Sequence, residues 1–193
     1  MARKKEFDEE ELLEKAVNLF WNKGYYATSA QDLVDGLGIS RSSLYSTYTD
    51  KRTLFTKSLK RYQDKQTRAV LTILGNADDI HAVIKQIFDS IIQESLTDDL
   101  TKGCFMVNTA VELSSHDPEI KELVRLNNNS VVDALTDAIK KGQQIGQINA
   151  ESDANALAVF IFNTISGLRV SARAGANQKS LQDIAKITLR SLR

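Results

Sequence analysis

Apolar residues recur at helical spacing along almost the whole chain, and the polar positions between them supply start and stop signals. Leu12, Leu13, Ala16, Val17, Phe20 and Trp21 predict a first helix over Phe7 to Lys23, ended by Gly24. Tyr25 and Tyr26 fill the link that follows, as aromatic wedges. Leu33, Val34 and Leu37 predict a short second helix, with Thr28 or Ser29 as its cap and Gly36 and Gly38 at its end. Ser40 caps a third short helix and Asp50 a longer one, which runs to about Leu74 on Leu54, Phe55, Leu59, Tyr62, Ala69 and Leu71. At 1.5 Å per residue that helix spans roughly 36 Å. Further helices are predicted over Asp79–Ser95, Lys102–Ser114, Asp117 to about Lys141, Asp153 to about Arg173, and Gln178–Leu192. Pro118 sits at a first helical position, where its missing N–H costs nothing. Thr97–Thr101 reads as a polar loop and Gln143–Ala150 as a turn. The expectation is an all-α chain of about nine helices. Gly103 and Gly167 run against it, since a helical glycine costs about 1 kcal/mol against alanine, and both are expected at close helix contacts.

Two short helices joined by a tight glycine turn form a helix-turn-helix pattern. The second carries Arg41, Ser42, Ser43, Tyr45, Ser46 and Thr47. Its short side chains permit close approach to a DNA groove, and Arg41 and Tyr45 are long enough to reach base edges or phosphates. Lys51, Thr28 and Ser29 stand at neighbouring helix starts, where backbone N–H groups favour phosphate. Residues 1–55 are thus expected to form a DNA-binding domain and residues 56–193 a second domain, with the boundary inside the 50–74 helix.

Composition sharpens this only locally. The 193 residues are 42% hydrophobic and 26% charged, with zero net charge, as in soluble globular proteins. Residues 36–68, however, hold eight basic and two acidic side chains. Such a segment suits phosphate contact, or else forms a solvated helix face. Cys104 is the single cysteine, which excludes an internal disulfide. MARKKEFDEEE lacks an apolar signal core, and no run of about 18 apolar residues occurs, so a cytoplasmic protein with no membrane partner is expected. His81 and His116 are the only histidines. His116 with Asp117 and Glu119 makes a poor metal site, and no Ser–His–acid order or phosphate-binding glycine loop appears. No catalysis, metal or cofactor is expected.

With FWNKGYYATS, AQDLVDGLGIS and RSSLYSTYTDKRTLF in order, residues 7–60 resemble the TetR family of bacterial transcription regulators. Phe20, Gly24, Thr28, Gly38-Ile39-Ser40, Arg41, Leu44-Tyr45, Tyr48 and Lys51 carry the resemblance. Ser46-Thr47 depart from the aromatic or His side chains common there, and Tyr48 from the usual Phe. The resemblance implies that Ser42, Ser43, Tyr45, Ser46 and Thr47 face DNA, that Arg41 reaches a base or phosphate, and that Lys51 and Thr28 hold phosphates. Leu44 and Tyr48 would be core. It further implies a homodimer on double-stranded operator DNA, usually a repressor, whose C-terminal domain binds a small-molecule effector. GCFMVNTAVELSSHDPEI and SGLRVSARAG resemble a C-terminal subfamily of the same regulators.

Two apolar helices near the C-terminus suit a four-helix dimer interface. Leu157, Ile161, Ile165, Leu168, Leu181, Ile184 and Thr188 are its expected residues. Candidates for an effector pocket are Phe88, Ile92, Cys104, Phe105, Val107, Asn108, Val111, Glu112, Phe160, Asn163, Thr164, Gly167 and Arg169. Among these, Asn108, Asn163 and Thr164 interrupt apolar helices, and buried polar atoms need partners. Cys104 reads either as a small buried hydrophobe or as an oxidant- or electrophile-sensing thiol beside a helix N-terminus and Lys102. A helical interaction protein with a purely structural helix-turn-helix corner is the rival from another class.

Overall fold

The computed structural model describes residues 8–94 and 102–192. Phe7, the loose basic arm before it and the Thr97–Thr101 loop lie outside these residues. Every regular element among the described residues is helical. They are α1 (Glu9–Lys23), α2 (Ala30–Leu37), α3 (Arg41–Tyr48), α4 (Lys51–Tyr62), a π-helical turn (Gln63–Thr67), α5 (Arg68–Gly75), α6 (Ile80–Glu94), α7 (Phe105–Leu113), α8 (Pro118–Gln144), α9 (Ala154–Arg173) and α10 (Gln178–Arg190).

The starts are set by side-chain caps. Asp8, Ser29, Ser40, Asp50, Asp117, Asp153 and Asn177 each accept from a first-turn N–H of their helix. Ser29 and Asp32 complete a reciprocal capping box. Gly38 closes α2 in the left-handed conformation at φ 68°, and its N–H donates to Val34 O.

The expected 50–74 helix is interrupted. Between Tyr62 and Arg68 the ladder widens to a π turn, where the rod passes from one hydrophobic core to the other. The Lys102–Ser114 helix begins only at Phe105, because Gly103 is left-handed at φ 66° and Cys104 is extended. Its glycine does mark close approach: a Cβ there would stand 3.2 Å from Arg173 Cδ. Gly167 does not, since among the described residues nothing beyond its own helix's backbone lies within 4 Å of its Cβ position.

Two cores result. The first joins Leu12, Phe20, Leu33, Leu44, Tyr48, Leu54 and Phe55 to Phe105, Met106 and Leu113 of α7 and Ile120 and Val124 of α8. Edge-to-face ring pairs run through it from Phe20 to Phe55 to Phe105 to Tyr62. The helix-turn-helix therefore shares its core with α7 rather than ending at residue 55. The second core packs α6, α8, α9 and α10 about Ile84, Phe88, Ile139, Ile161, Leu168 and Leu181.

Alpha9 is long and apolar enough to cross a membrane by length and composition, against the expectation from the sequence. Here it lies along α8 and against α10. Its buried side, Ala158, Ile161 and Leu168, faces this chain's core. Its opposite side exposes Val159, Phe160 and Val170 together with Asn163 and Gly167.

Candidate nucleic-acid interface

Alpha3 is held by two side chains and presents the rest. Leu44 and Tyr48 are buried, while Ser40, Arg41, Ser42, Tyr45 and Ser46 are exposed, and Ser43 and Thr47 half-buried. Arg41 and Tyr45 stand one turn apart, with the guanidinium carbon 5.9 Å from the ring centroid. The ring thus orients the cation on the outward face. Ser40 Oγ accepts from Ser43 N–H at 3.1 Å and lies 2.9 Å from the hydroxyls of Ser42 and Ser43, a compact polar start to the helix.

The helix leaves through a strained turn. Thr49 has φ 62° and ψ −57°, and Asp50 N–H donates to Tyr48 O at 2.6 Å. That is a γ-turn of the rare positive-φ kind, on a β-branched residue. It aims α4 back under α3, where Tyr48 packs. The Tyr48 hydroxyl is buried without a hydrogen-bond partner among the described residues, and burial raises its pKa.

Two expected phosphate contacts are corrected. Thr28 is fully buried, and its hydroxyl donates to Gly24 O at 2.6 Å. It braces the α1–α2 link and has no free donor for DNA. Lys51 donates its ammonium to Tyr25 O at 2.9 Å and Thr28 O at 2.8 Å, over the Tyr25 ring. Those carbonyls engage two of its three protons, so its first role is to pin the same link. Ser29 is exposed, but its N–H and hydroxyl both face Asp32, whose carboxyl is pulled down to about 2 by Lys23 and Ser29.

Much of the basic charge of residues 36–68 is paired internally. Arg61 meets Glu10 and Glu14 and Lys57 meets Glu9 across the α1–α4 contact, and Lys65 of the π turn meets Glu14. Arg41, on the outward face of α3, has no carboxylate partner among the described residues.

Three clamps tie this head to the segment around α7. Glu112 accepts the N–H groups of Tyr25 at 2.9 Å and Tyr26 at 2.7 Å. Trp21 Nε1 donates to Gly103 O at 3.0 Å. Arg52 grips Asp117 with two parallel bonds of 2.9 and 3.0 Å and reaches Glu119 at 2.8 Å. Those bonds hold the Asp117 carboxyl below its ordinary range.

At its other end α7 borders a cavity of about 110 Å³ between the π turn, α8 and α9. Of the expected pocket residues, Cys104, Val107 and Arg169 line it. Others are corrected. Phe88 and Phe105 are buried in the two cores, and Ile92 faces a separate groove between α6 and α10. Asn108, Val111 and Glu112 border a groove beside Trp21, and Val111 is 80% exposed. Phe160, Asn163 and Gly167 are exposed, and the Thr164 hydroxyl is turned back onto Phe160 O. Missed by sequence reasoning were Tyr62, Thr67, Asn127 and Phe162, which come from separate helices and share no local motif. The expected dimer residues divide likewise: Ile161, Leu168, Leu181 and Thr188 are buried in this chain, Ile165 lines the cavity, and Leu157 and Ile184 are half-buried.

A helix-turn-helix head with an outward arginine, joined to a helical domain holding a cavity, defines a one-chain DNA-binding regulator. Residues 12–57 match the family model for bacterial regulatory proteins of the tetR family, and residues 82–188 that for the tetracyclin repressor-like C-terminal domain. The chain belongs to the TetR family and is a DNA-binding transcription regulator. It is 33% identical to the uncharacterized HTH-type transcriptional regulator YezE of Bacillus subtilis over 190 residues, 98% of each chain. It is 32% identical to the HTH-type transcriptional repressor ComR of Escherichia coli, over 98% of this chain and 90% of that one. A structure of the regulator CifR, a cysteine mutant complexed with 26-base-pair operator DNA, has the same fold with a TM-score of 0.87 at 21% identity, covering all of both chains.

Proposed function

We infer that this regulator is a repressor: a homodimer places two α3 helices in successive major grooves of an operator and releases it when a small molecule fills the cavity beside Tyr62. Such grooves repeat about every 34–36 Å, so a small change in head separation is enough to break the match. The carrying observation is α7. Its N-terminal end lines the cavity through Cys104, Met106 and Val107, and roughly 8–12 Å along its axis Glu112 holds the backbone of the head. A ligand that moves one end acts on the other.

Residues 1–55 supply the reading surface and residues 56–193 the effector and dimer functions, although α7 packs in both. Arg41, Ser42, Ser43, Tyr45, Ser46 and Thr47 contact the groove, with Ser29 and Ser40 at its edge. The dimer face is the uncovered stripe of α9, Phe160, Asn163, Gly167 and Val170, with Ile187 of α10. Repression is supported by the likeness to ComR over nearly the full chain. The protein acts where the DNA is, in the cytoplasm, and carries out no reaction on its ligand.

Fluorescence anisotropy of the purified dimer on its own upstream DNA tests this. Binding that weakens steeply with salt supports it; no binding at low salt refutes it.

A second reading rests on Cys104, whose thiol lines the same cavity and accepts from the Tyr62 hydroxyl at 3.7 Å. In it, oxidation or alkylation of the thiol moves α7. A Cys104→Ser protein that releases DNA to oxidant as the parent does would exclude it.

A further inference from the structure

The cavity beside Tyr62 has a sharper chemistry than its place in the fold requires. Its wall is apolar over Val70, Ile87, Met106, Val131, Phe162 and Ile165. The polar side chains that remain include Gln66, Asn128 and Ser166, which can donate or accept, and Arg169, which can only donate. Arg169, from α9, forms no ion pair or hydrogen bond among the described residues, yet it lines the cavity close enough to Tyr62 to act on its hydroxyl. Asn127, from α8, is only 4% exposed. Its Oδ1 accepts from the Thr67 hydroxyl at 2.8 Å, which leaves its amide N–H groups for whatever occupies the space. Among the described residues the Tyr62 O–H donates to the Cys104 sulfur, a weak acceptor at 3.7 Å. No carboxylate lines the cavity among the described residues.

A buried amide and an unpaired guanidinium over an apolar floor leave acceptors as the missing partner. The geometry points to a small monoanion with an apolar body as the ligand of this cavity, its carboxylate on Arg169 and Asn127 and its body against Val131 and Phe162. One lining cation balances one negative charge; a phosphate dianion would enter with excess charge. This inference rests on the effector reading above and assigns the ligand class to the same site.

The test uses the full-length dimer titrated with hexanoate, octanoate and benzoate, each against its own primary amide. Calorimetry reads binding, and operator anisotropy is followed in the same titrations. At least one acid is expected to bind on the order of tenfold more tightly than its amide, equal to about 1.4 kcal/mol. Arg169→Gln is expected to remove that preference, and Val131→Trp to abolish binding of acid and amide alike. The comparison in the parent protein stands by itself if either variant fails to fold. Amides that bind as well as the acids, or no acid bound at millimolar concentration, overturn the assignment. Acid binding without operator release supports the ligand class and refutes the effector reading. Release by the neutral amides alone does the reverse.

Discussion

The carboxylate of Glu112 receives the backbone N–H of Tyr26 at 2.7 Å, and its second oxygen receives the neighbouring N–H of Tyr25 at 2.9 Å. A helix of the second domain thereby holds the hinge that precedes α2. Glycine at position 24 makes room for the contact: a Cβ there would lie 2.8 Å from Glu112 Oε2, on a residue already at φ 81°. Glu112→Ala should cost about 1–2 kcal/mol in chemical denaturation, since two charge-assisted bonds are lost at a half-exposed site. Operator binding in that protein should no longer respond to effector. Gly24→Ala should give the same phenotype from the other side of the contact. A Glu112→Ala protein that responds normally would show that the head is moved through another link.

Tyr48 carries a buried hydroxyl with no partner among the described residues, at a position where the aromatic ring alone fills the core. Tyr48→Phe should raise stability by about 1 kcal/mol, read as an increase in the denaturation midpoint at constant slope. Lys57, whose ammonium lies 5.2 Å from the ring centroid, can make the same contact with Phe. A loss of stability would mean the hydroxyl is satisfied in solution.

Arg41 and Tyr45 are exposed and pack on each other rather than on the core. Arg41→Ala should weaken operator binding by about 1–3 kcal/mol if the guanidinium meets a base edge, and relax the preference at that base pair. Tyr45→Ala should weaken binding too, by freeing the guanidinium. Melting curves of both should stay within about 0.5 kcal/mol of the parent. Unchanged DNA affinity in both would remove α3 from the interface.

Two faces of α9 should respond in opposite ways. Gly167 is exposed, and among the described residues nothing beyond its own helix's backbone lies within 4 Å of the place a Cβ would take, so Gly167→Phe should leave helicity intact and halve the mass in sedimentation equilibrium. Ile161 is fully buried, and Ile161→Ala should cost about 2–5 kcal/mol without altering the assembly of the folded fraction. A dimeric Gly167→Phe protein would place the interface elsewhere.

Acid should loosen the helix starts around the head first. Asp32, Asp50 and Asp117 all have carboxyls below their ordinary value, through Lys23, the Thr53 N–H and Arg52 respectively. Groups shifted down stabilise the fold fully above the ordinary value near 4 and lose that contribution as pH falls through the folded value. Stability should therefore be flat from neutral pH to about 5 and fall from about 4 toward 2, the level reached by Asp32. Asp117→Asn should make that fall shallower while lowering stability at neutral pH. Midpoints of urea unfolding across this range provide the check.

The helices were legible because their signals are local. Ser29, Ser40, Asp50 and Asp117 cap the first turn beside them, and Gly24 and Gly38 end helices with their own backbone angles. An interval of three or four residues is enough to decide each one. The outward face of α3 was legible for the same reason: Leu44 and Tyr48 are its buried positions, Ser43 and Thr47 are half-buried, and Arg41, Ser42, Tyr45 and Ser46 are exposed.

Tertiary structure alone decided which neighbour each face meets. Alpha9 is apolar over much of its circumference, so periodicity could not separate Ile161 and Leu168, which meet their own core, from Phe160 and Gly167, which are exposed. Thr28 and Lys51 look like phosphate ligands until the chain brings the α1–α2 link over them and gives them carbonyls instead. The cavity was hidden for the strongest reason: Tyr62, Asn127 and Arg169 lie on three separate helices. Their proximity depends on packing that no short stretch contains. Capping, turn geometry and the pattern of one helix follow from neighbouring residues; the partner of each helix face follows from the whole chain.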